Sequence, residues 1–231
     1  MSHSRDPAPS GKSRAPASPF DDAAGDYDAW FEGEGSLVFE IELRALQEVL
    51  PSLPKPWLEV GVGSGRFAQQ LGIETGIDPS IRLLEIATRR SVVILRGVGE
   101  QLPFAGRSVG TAFLIATLCF VDWPLSVLRE VSRVLVPHGK MVLGVIPGEG
   151  PWGRRYEERK RQGHRLYQQA SFRRYGEIVS LVERGGFVIE QIVSTLTQRP
   201  DEVKTIELPR SGFRPDAGFV VIVAGKRHGE G

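Results

Sequence analysis

The chain has 231 residues, 41% of them hydrophobic and 25% charged, with a formal net charge of +1. That length allows one sizeable domain with a core that buries most of its apolar groups, and the near-neutral balance gives no general affinity for nucleic acid or an acidic membrane. The lone cysteine, Cys119, excludes an intramolecular disulfide framework and a multi-cysteine metal site. No apolar run reaches membrane-spanning length and no hydrophobic leader opens the sequence, so the cytoplasm is the expected location.

Residues 1–20 are rich in Ser, Pro and Ala and predict a disordered tail. Residues 21–42 then carry eight acids and no Lys or Arg, interleaved with Tyr27, Trp30 and Phe31. A helix is predicted over 37–50, with Val38, Ile41, Ala45, Leu46 and Val49 on one face. Pro51, Pro54 and Pro56 lead into a first strand, and strand–helix units follow. Strands are expected over 74–77, 91–95, 109–116 and 140–146, the last of these entered through a Pro137-His138-Gly139 turn. Helices are expected over 66–71, 79–89, 124–135, 152–165 and 174–184, and the last is stopped by Gly185-Gly186. Two final strands, 187–197 and 218–224, have no helix between them and so pair antiparallel or lie apart. The pattern predicts one α/β domain: a Rossmann-like doubly wound sheet of about seven strands, mostly parallel, with one antiparallel strand near the C-terminus.

The stretch that carries chemistry is Glu59-Val60-Gly61-Val62-Gly63-Ser64-Gly65, running straight into a predicted helix. Glycines there permit a sharp turn and close approach of a ligand, and the helix start offers amides to an anion. The next strand ends in Asp78, a carboxylate suited to the two hydroxyls of a ribose. The dinucleotide fingerprint is broken, because Arg66 stands where its third glycine belongs. Glu59 beside the turn is awkward for a pyrophosphate but suits an ammonium group. Together these residues favour S-adenosylmethionine (SAM) over NAD. The plainer alternative is a structural turn, with Asp78 and Pro79 capping the following helix.

With Asp78-Pro79-Ser80, Gly99-Glu100-Gln101-Leu102-Pro103-Phe104 and Arg129 to Leu135 leading into Pro137-His138-Gly139-Lys140, the chain from about Tyr27 to Lys226 resembles the class I SAM-dependent methyltransferases of type 11. The resemblance implies that SAM and its product S-adenosylhomocysteine bind without a metal. Glu59, Gly61, Val62, Gly63 and Gly65 would hold the methionine end, and Asp78 the ribose. Pro79, Ser80, Gly99 and Glu100 would border the adenine, with Thr117 facing the reacting centre. Tyr27, Trp30 and Phe31 resemble the family's N-terminal aromatic cover. The implied organisation is a tail (1–20) and a methyltransferase domain (21–228) with an N-terminal lid (21–50) and an insertion after the fifth strand (148–173). Val98 stands where the family often has an acid for the adenine amino group, and His138 where a glycine is usual.

A sulfonium methyl is already activated, so in-line transfer chiefly needs alignment. No general base is assigned and the catalytic residues stay unknown. His164 reads as a solvated surface residue, Asp122 as a helix cap and Cys119 as a small buried hydrophobe. Ala116-Thr117-Leu118-Cys119-Phe120 lacks the Asn/Asp-Pro-Pro-aromatic pattern of nucleic-acid amino methyltransferases, which favours a small-molecule acceptor and makes nucleic acid an unlikely partner. Residues 152–175 hold eight Lys or Arg against two Glu. An RNA methyltransferase using that face, with rings stacking on bases, is one alternative, and a regulatory or complex subunit that only binds SAM is another. The second segment leaves the carboxyl end of the fifth strand, and the resemblance places the first over the cofactor on the same side. Their opposite charges and aromatic residues lead to the expectation that 21–42 and 152–175 meet and close the acceptor site, with Tyr27, Trp30 and Phe31 facing Tyr156 or Tyr167 and Phe120 also at the site.

Overall fold

The computed structural model describes Ser18 and residues 20–227. The predicted tail therefore lies outside the described residues, except at Ser18 and Phe20. Helices α1 (Ala24–Trp30) and α2 (Ser36–Val49) precede strand β1 (Trp57–Val60). Then follow α3 (Arg66–Leu71), β2 (Thr75–Asp78), α4 (Ile81–Ala87), β3 (Val93–Arg96) and β4 (Val109–Ile115). The second half contains α5 (Pro124–Val134), β5 (Leu135–Val145), α6 (Pro151–Arg161) and α7 (Tyr175–Arg184). It closes with β6 (Phe187–Thr195), β7 (Arg210–Ser211) and β8 (Phe219–Lys226).

These strands form one sheet in the order β3-β2-β1-β4-β5-β8-β6-β7. Strands β3, β2, β1, β4 and β5 run parallel, and β8 enters antiparallel between β5 and β6. The expected architecture is present with one addition. The two-residue edge strand β7 pairs antiparallel with β6 and makes the sheet eight-stranded; its Arg-Ser pair carries no apolar alternation by which the sequence could announce it. The predicted turn at Pro137-His138-Gly139 falls inside β5, where the pairing with β4 shifts register between Val109 and Thr111. His138 there takes φ 66°, the left-handed conformation that a glycine would adopt at less cost.

Side chains alternate across the sheet with the period of a strand. Trp57, Phe113 and Ile115 pack on one face with α2, α3 and Trp152 of α6. Leu58, Val60, Ala112 and Leu114 pack on the other with Val127, Leu128 and Val131 of α5 and with Ile178 and Val182 of α7. Strands β1, β4 and all but the last residue of β8 are buried on both faces. The carboxyl ends of β1, β2 and β4 converge, the place where ligands bind in open sheets of this kind.

Candidate cofactor and acceptor site

Beyond Val60 the chain turns through Gly61 at φ 79°, and its amide and that of Val62 donate to the Ile77 carbonyl at 2.8 and 3.1 Å. These bonds tie the turn to β2. A Cβ on Gly61 would come within 2.5 Å of the Thr117 side chain, so only glycine lets β1 and the end of β4 approach this closely. Thr117 was expected to face the reacting centre. Its hydroxyl lies 3.2 Å from the Val60 carbonyl and 3.0 Å from that of Ile115, and it packs against the turn.

Asp78, at the end of β2, is buried and accepts from the Gly63 amide at 3.0 Å and the Ser80 amide at 2.8 Å. The Gly63 amide is therefore not free for an anion. Each carboxylate oxygen retains a second lone pair for a ligand hydroxyl. Burial pushes the Asp78 carboxyl up to about 6 against these two bonds, and the charge of Asp21 adds to the rise. The cap of α4 is not Asp78 but Ser80, whose Oγ accepts from the Leu83 amide at 3.2 Å and donates to Asp21 at 2.6 Å. Pro79 sits between them, its carbonyl accepting from Arg96 Nε at 3.2 Å.

Glu59 is 2% exposed, and its Oε2 has no hydrogen-bond partner among the described residues. Burial first and the Asp78 charge second push this carboxyl well above its ordinary range, with a bond from the Ala68 amide opposing. An orphaned carboxylate oxygen in the interior is costly unless a ligand satisfies it. Glu59 and Asp78 thus form a pair of buried acids beside the glycine turn. Gly99 and Glu100 follow β3. A Cβ on Gly99 would lie 3.0 Å from both Val60 and Val127, and burial together with Asp122 raises the half-buried Glu100. Asp122 does not cap α5: Trp123 holds that position without a side-chain bond.

The aromatic residues singled out in the sequence are brought together. Tyr27, Trp30, Phe31, Phe120, Tyr156 and Tyr167 all line one cavity of about 480 Å³. Tyr27 and Phe31 meet edge to face at 5.2 Å, and Tyr156 lies 4.7 Å from Tyr167. Phe20, Phe67 and Phe172 complete the rings, and Phe20 contacts Tyr27 and Phe120 at 5.6 and 5.0 Å. Tyr27 also connects the cavity to the glycine turn, since a Cβ on Gly63 would sit 3.7 Å from its hydroxyl. Burial, then Asp78, Glu59 and Glu42, raise its phenol far above the ordinary value, so it stays protonated.

The electrostatic pairing differs from the sequence expectation. Between 21–42 and 152–175 there is one exposed ion pair among the described residues, Arg165 to Asp22 at 3.4 Å. The acids of the first segment turn instead to the cofactor side. Asp28 accepts from Arg66 Nε and Nη2 at 2.7 and 2.9 Å and from Arg90 at 2.9 Å, while Glu32 accepts from Arg66 at 2.7 Å. Arg90 also donates to the Ser64 carbonyl at 2.8 Å. Arg66 opens α3 directly behind the turn, so α1 is latched to the glycine turn rather than to α6. Only the folded chain brings Asp28 beside Arg90, 62 residues away.

Cys119 and His164 also line the cavity. Cys119 donates to the Ala116 carbonyl at 3.3 Å, and burial pushes its thiol up to about 12. His164 is exposed at the cavity rim, stacked on Tyr167 at 4.7 Å, and burial with Arg159 lowers its pKa. Glu42 was missed as a site residue: it is buried on the cavity wall, and burial pushes it up to about 8. The available signal was an acid standing in the apolar stripe of α2, four residues from both Val38 and Leu46.

The family model described as "Methyltransferase domain" matches residues 58–143. The chain is 38% identical over 200 residues to an uncharacterised protein of Mycobacterium tuberculosis, covering 86% of this chain and 70% of that one. It is 32% identical over 207 residues to an uncharacterised protein of Methanocaldococcus jannaschii, covering 90% and 98%. A crystal structure from Thermotoga maritima, described as a SAM-dependent methyltransferase and possible histamine N-methyltransferase, superposes with a TM-score of 0.84. It is 34% identical, with coverage of 91% of this chain and 98% of that one. Among the described residues no cluster of His, Cys, Asp or Glu could hold a metal, and no helix is long and apolar enough to cross a membrane.

Proposed function

Because the chain belongs to the class I SAM-dependent methyltransferases, we propose that it transfers the methyl group of SAM to a small-molecule acceptor held in the aromatic cavity. The observation that carries this reading is the cavity of about 480 Å³, joined to the cofactor turn through Tyr27. Its volume lies within the range of small-molecule pockets, about 300–1,000 Å³. SAM supplies an electrophilic methyl on a positively charged sulfur. Glu59 would take the ammonium of its methionine end, Asp78 the ribose hydroxyls, and Gly61, Val62, Gly63 and Gly65 the close backbone approach, with Pro79, Ser80, Gly99 and Glu100 around the adenine.

The remaining work of the protein is alignment and exclusion of water. Rings from both sides of the cavity exclude water, and the Asp28 latch keeps α1 over the cofactor turn. Several bases of 152–175 are engaged within the chain, Arg155 with Asp201 and Arg161 with Glu158, which leaves less of a free basic face for RNA. The amine named for the Thermotoga protein is one candidate acceptor. Incubation with methyl-labelled SAM and a metabolite panel tests the reading. Label should pass to a small product, and calorimetry should show S-adenosylhomocysteine binding. Binding without turnover on any panel member, or transfer to RNA alone, would refute the small-molecule assignment.

A further inference from the structure

The cavity has one feature that hydrophobic recognition does not need. Glu42 projects from the buried stripe of α2, is 8% exposed, and has neither a hydrogen bond nor an ion pair among the described residues. A carboxylate in such surroundings costs several kcal/mol unless something of opposite charge joins it. A Leu at this helical position would be cheaper for the fold alone. The acid looks into an open space walled by aromatic rings, whose faces attract cations.

We propose that Glu42 is the anchor for a basic nitrogen of the acceptor, and that the acceptor is accordingly an amine cation with an aromatic or apolar body. This rests on the reading of the cavity as the acceptor site and names its substrate class. The other charged groups on the wall are Asp26 from α1, Arg159 from α6, and His164 and Arg165 from the segment after it. Arg165 pairs with Asp22, and Arg159 acts on Tyr167 and His164. Burial alone accounts for the raised pKa of Glu42, so neither arginine neutralises it. Glu42 shares the cavity wall with Tyr27 and Tyr156, and its charge contributes to holding both phenols protonated. An ammonium seated there meets the carboxylate and the rings at once, and the body of the molecule fills the apolar remainder.

The test uses calorimetry on the full chain saturated with S-adenosylhomocysteine, with phenethylamine and histamine as probes and phenethyl alcohol and phenylacetate as their uncharged and anionic counterparts. The amines should bind at least about tenfold tighter than the alcohol, the difference made by a charge-assisted hydrogen bond. Glu42→Gln keeps the shape of the side chain. It should erase that preference while S-adenosylhomocysteine affinity stays within about twofold, which shows the cofactor site intact. Trp30→Leu, which removes a ring face, should weaken the amines more than the alcohol. Alcohol binding as tightly as the amines, unchanged amine binding in Glu42→Gln, or no binding of either amine would overturn the proposal. Failure to bind S-adenosylhomocysteine would instead strike the cofactor reading, and amine binding measured without it would still decide the role of Glu42.

Discussion

Replacing Asp28 by Asn tests whether α1 is held over the cofactor turn by charge. Burial works against ionisation of this carboxyl, but Arg66 and Arg90 overcome it and hold the pKa near 2 instead of 3.8. A shift of that size corresponds to roughly 2–3 kcal/mol. All three side chains are 13–16% exposed, so solvent screens the cluster little. Asn retains part of the hydrogen bonding and leaves two arginines short of charge, so a loss of about 2 kcal/mol is expected. In a protein of this size that lowers Tm by about 4–8 °C. The sign follows from the depressed pKa. The stabilisation is complete above 3.8 and disappears as pH falls toward 2, so the difference between the two proteins should narrow below pH 4. Thermal melts from pH 3 to 7, with hydrogen exchange of residues 24–30, provide the assay. Glu32→Gln is the internal control, because that carboxylate is 72% exposed and its pair with Arg66 should contribute only about 0–1 kcal/mol. A Tm within 1 °C of the parent (a threshold set at roughly 0.3 kcal/mol), with unchanged exchange in α1, would refute the latch.

Asp78→Ala should weaken S-adenosylhomocysteine binding roughly ten- to a hundredfold by calorimetry, the cost of a charged acceptor; equal affinity would place the ribose elsewhere. Because burial holds Asp78 near 6, binding of the cationic SAM should fall as pH is lowered through that value, and a flat profile between pH 5 and 8 would contradict it. Gly61→Ala places a Cβ against Thr117 at a left-handed φ, so it should destabilise the fold by about 1–2 kcal/mol or more in denaturant melts and impair cofactor binding. The raised pKa of Glu42 favours the folded protein at low pH. That contribution is whole below about 4.5 and is lost as pH rises through about 8, so the ligand-free protein should melt lower at pH 9 than at pH 6. Glu42→Gln should flatten that slope, and an equal slope in both proteins would show that Glu42 does not titrate there.

The local rules of the chain determined a large part of this protein. Apolar runs of strand length separated by amphipathic stretches dictate alternating strands and helices, and Arg66–Leu71 was legible to the residue because glycines bound it on both sides. Glu59, the glycine turn and Asp78 announce a cationic nucleoside site, since their chemistry is unusual wherever they fold. The rings of Tyr27, Trp30 and Phe31 could be singled out in the sequence and expected to meet Tyr156 or Tyr167, but the partners and geometry of that cavity, Phe20, Phe67 and Phe172 among them, could not. Spacing along the chain constrains neighbours three or four residues apart and says nothing about partners more than a hundred residues away. The same limit explains the acids of 21–42. Their charge was plain, yet the choice between the cations of 152–175 and Arg66 with Arg90 depended on where α1 docks. Glu42 shows the boundary most clearly. Its place in an apolar helix stripe is a sequence fact, whereas its lack of a partner is a property of the tertiary structure, because burial and the reach of neighbouring charges exist only once the helices have packed.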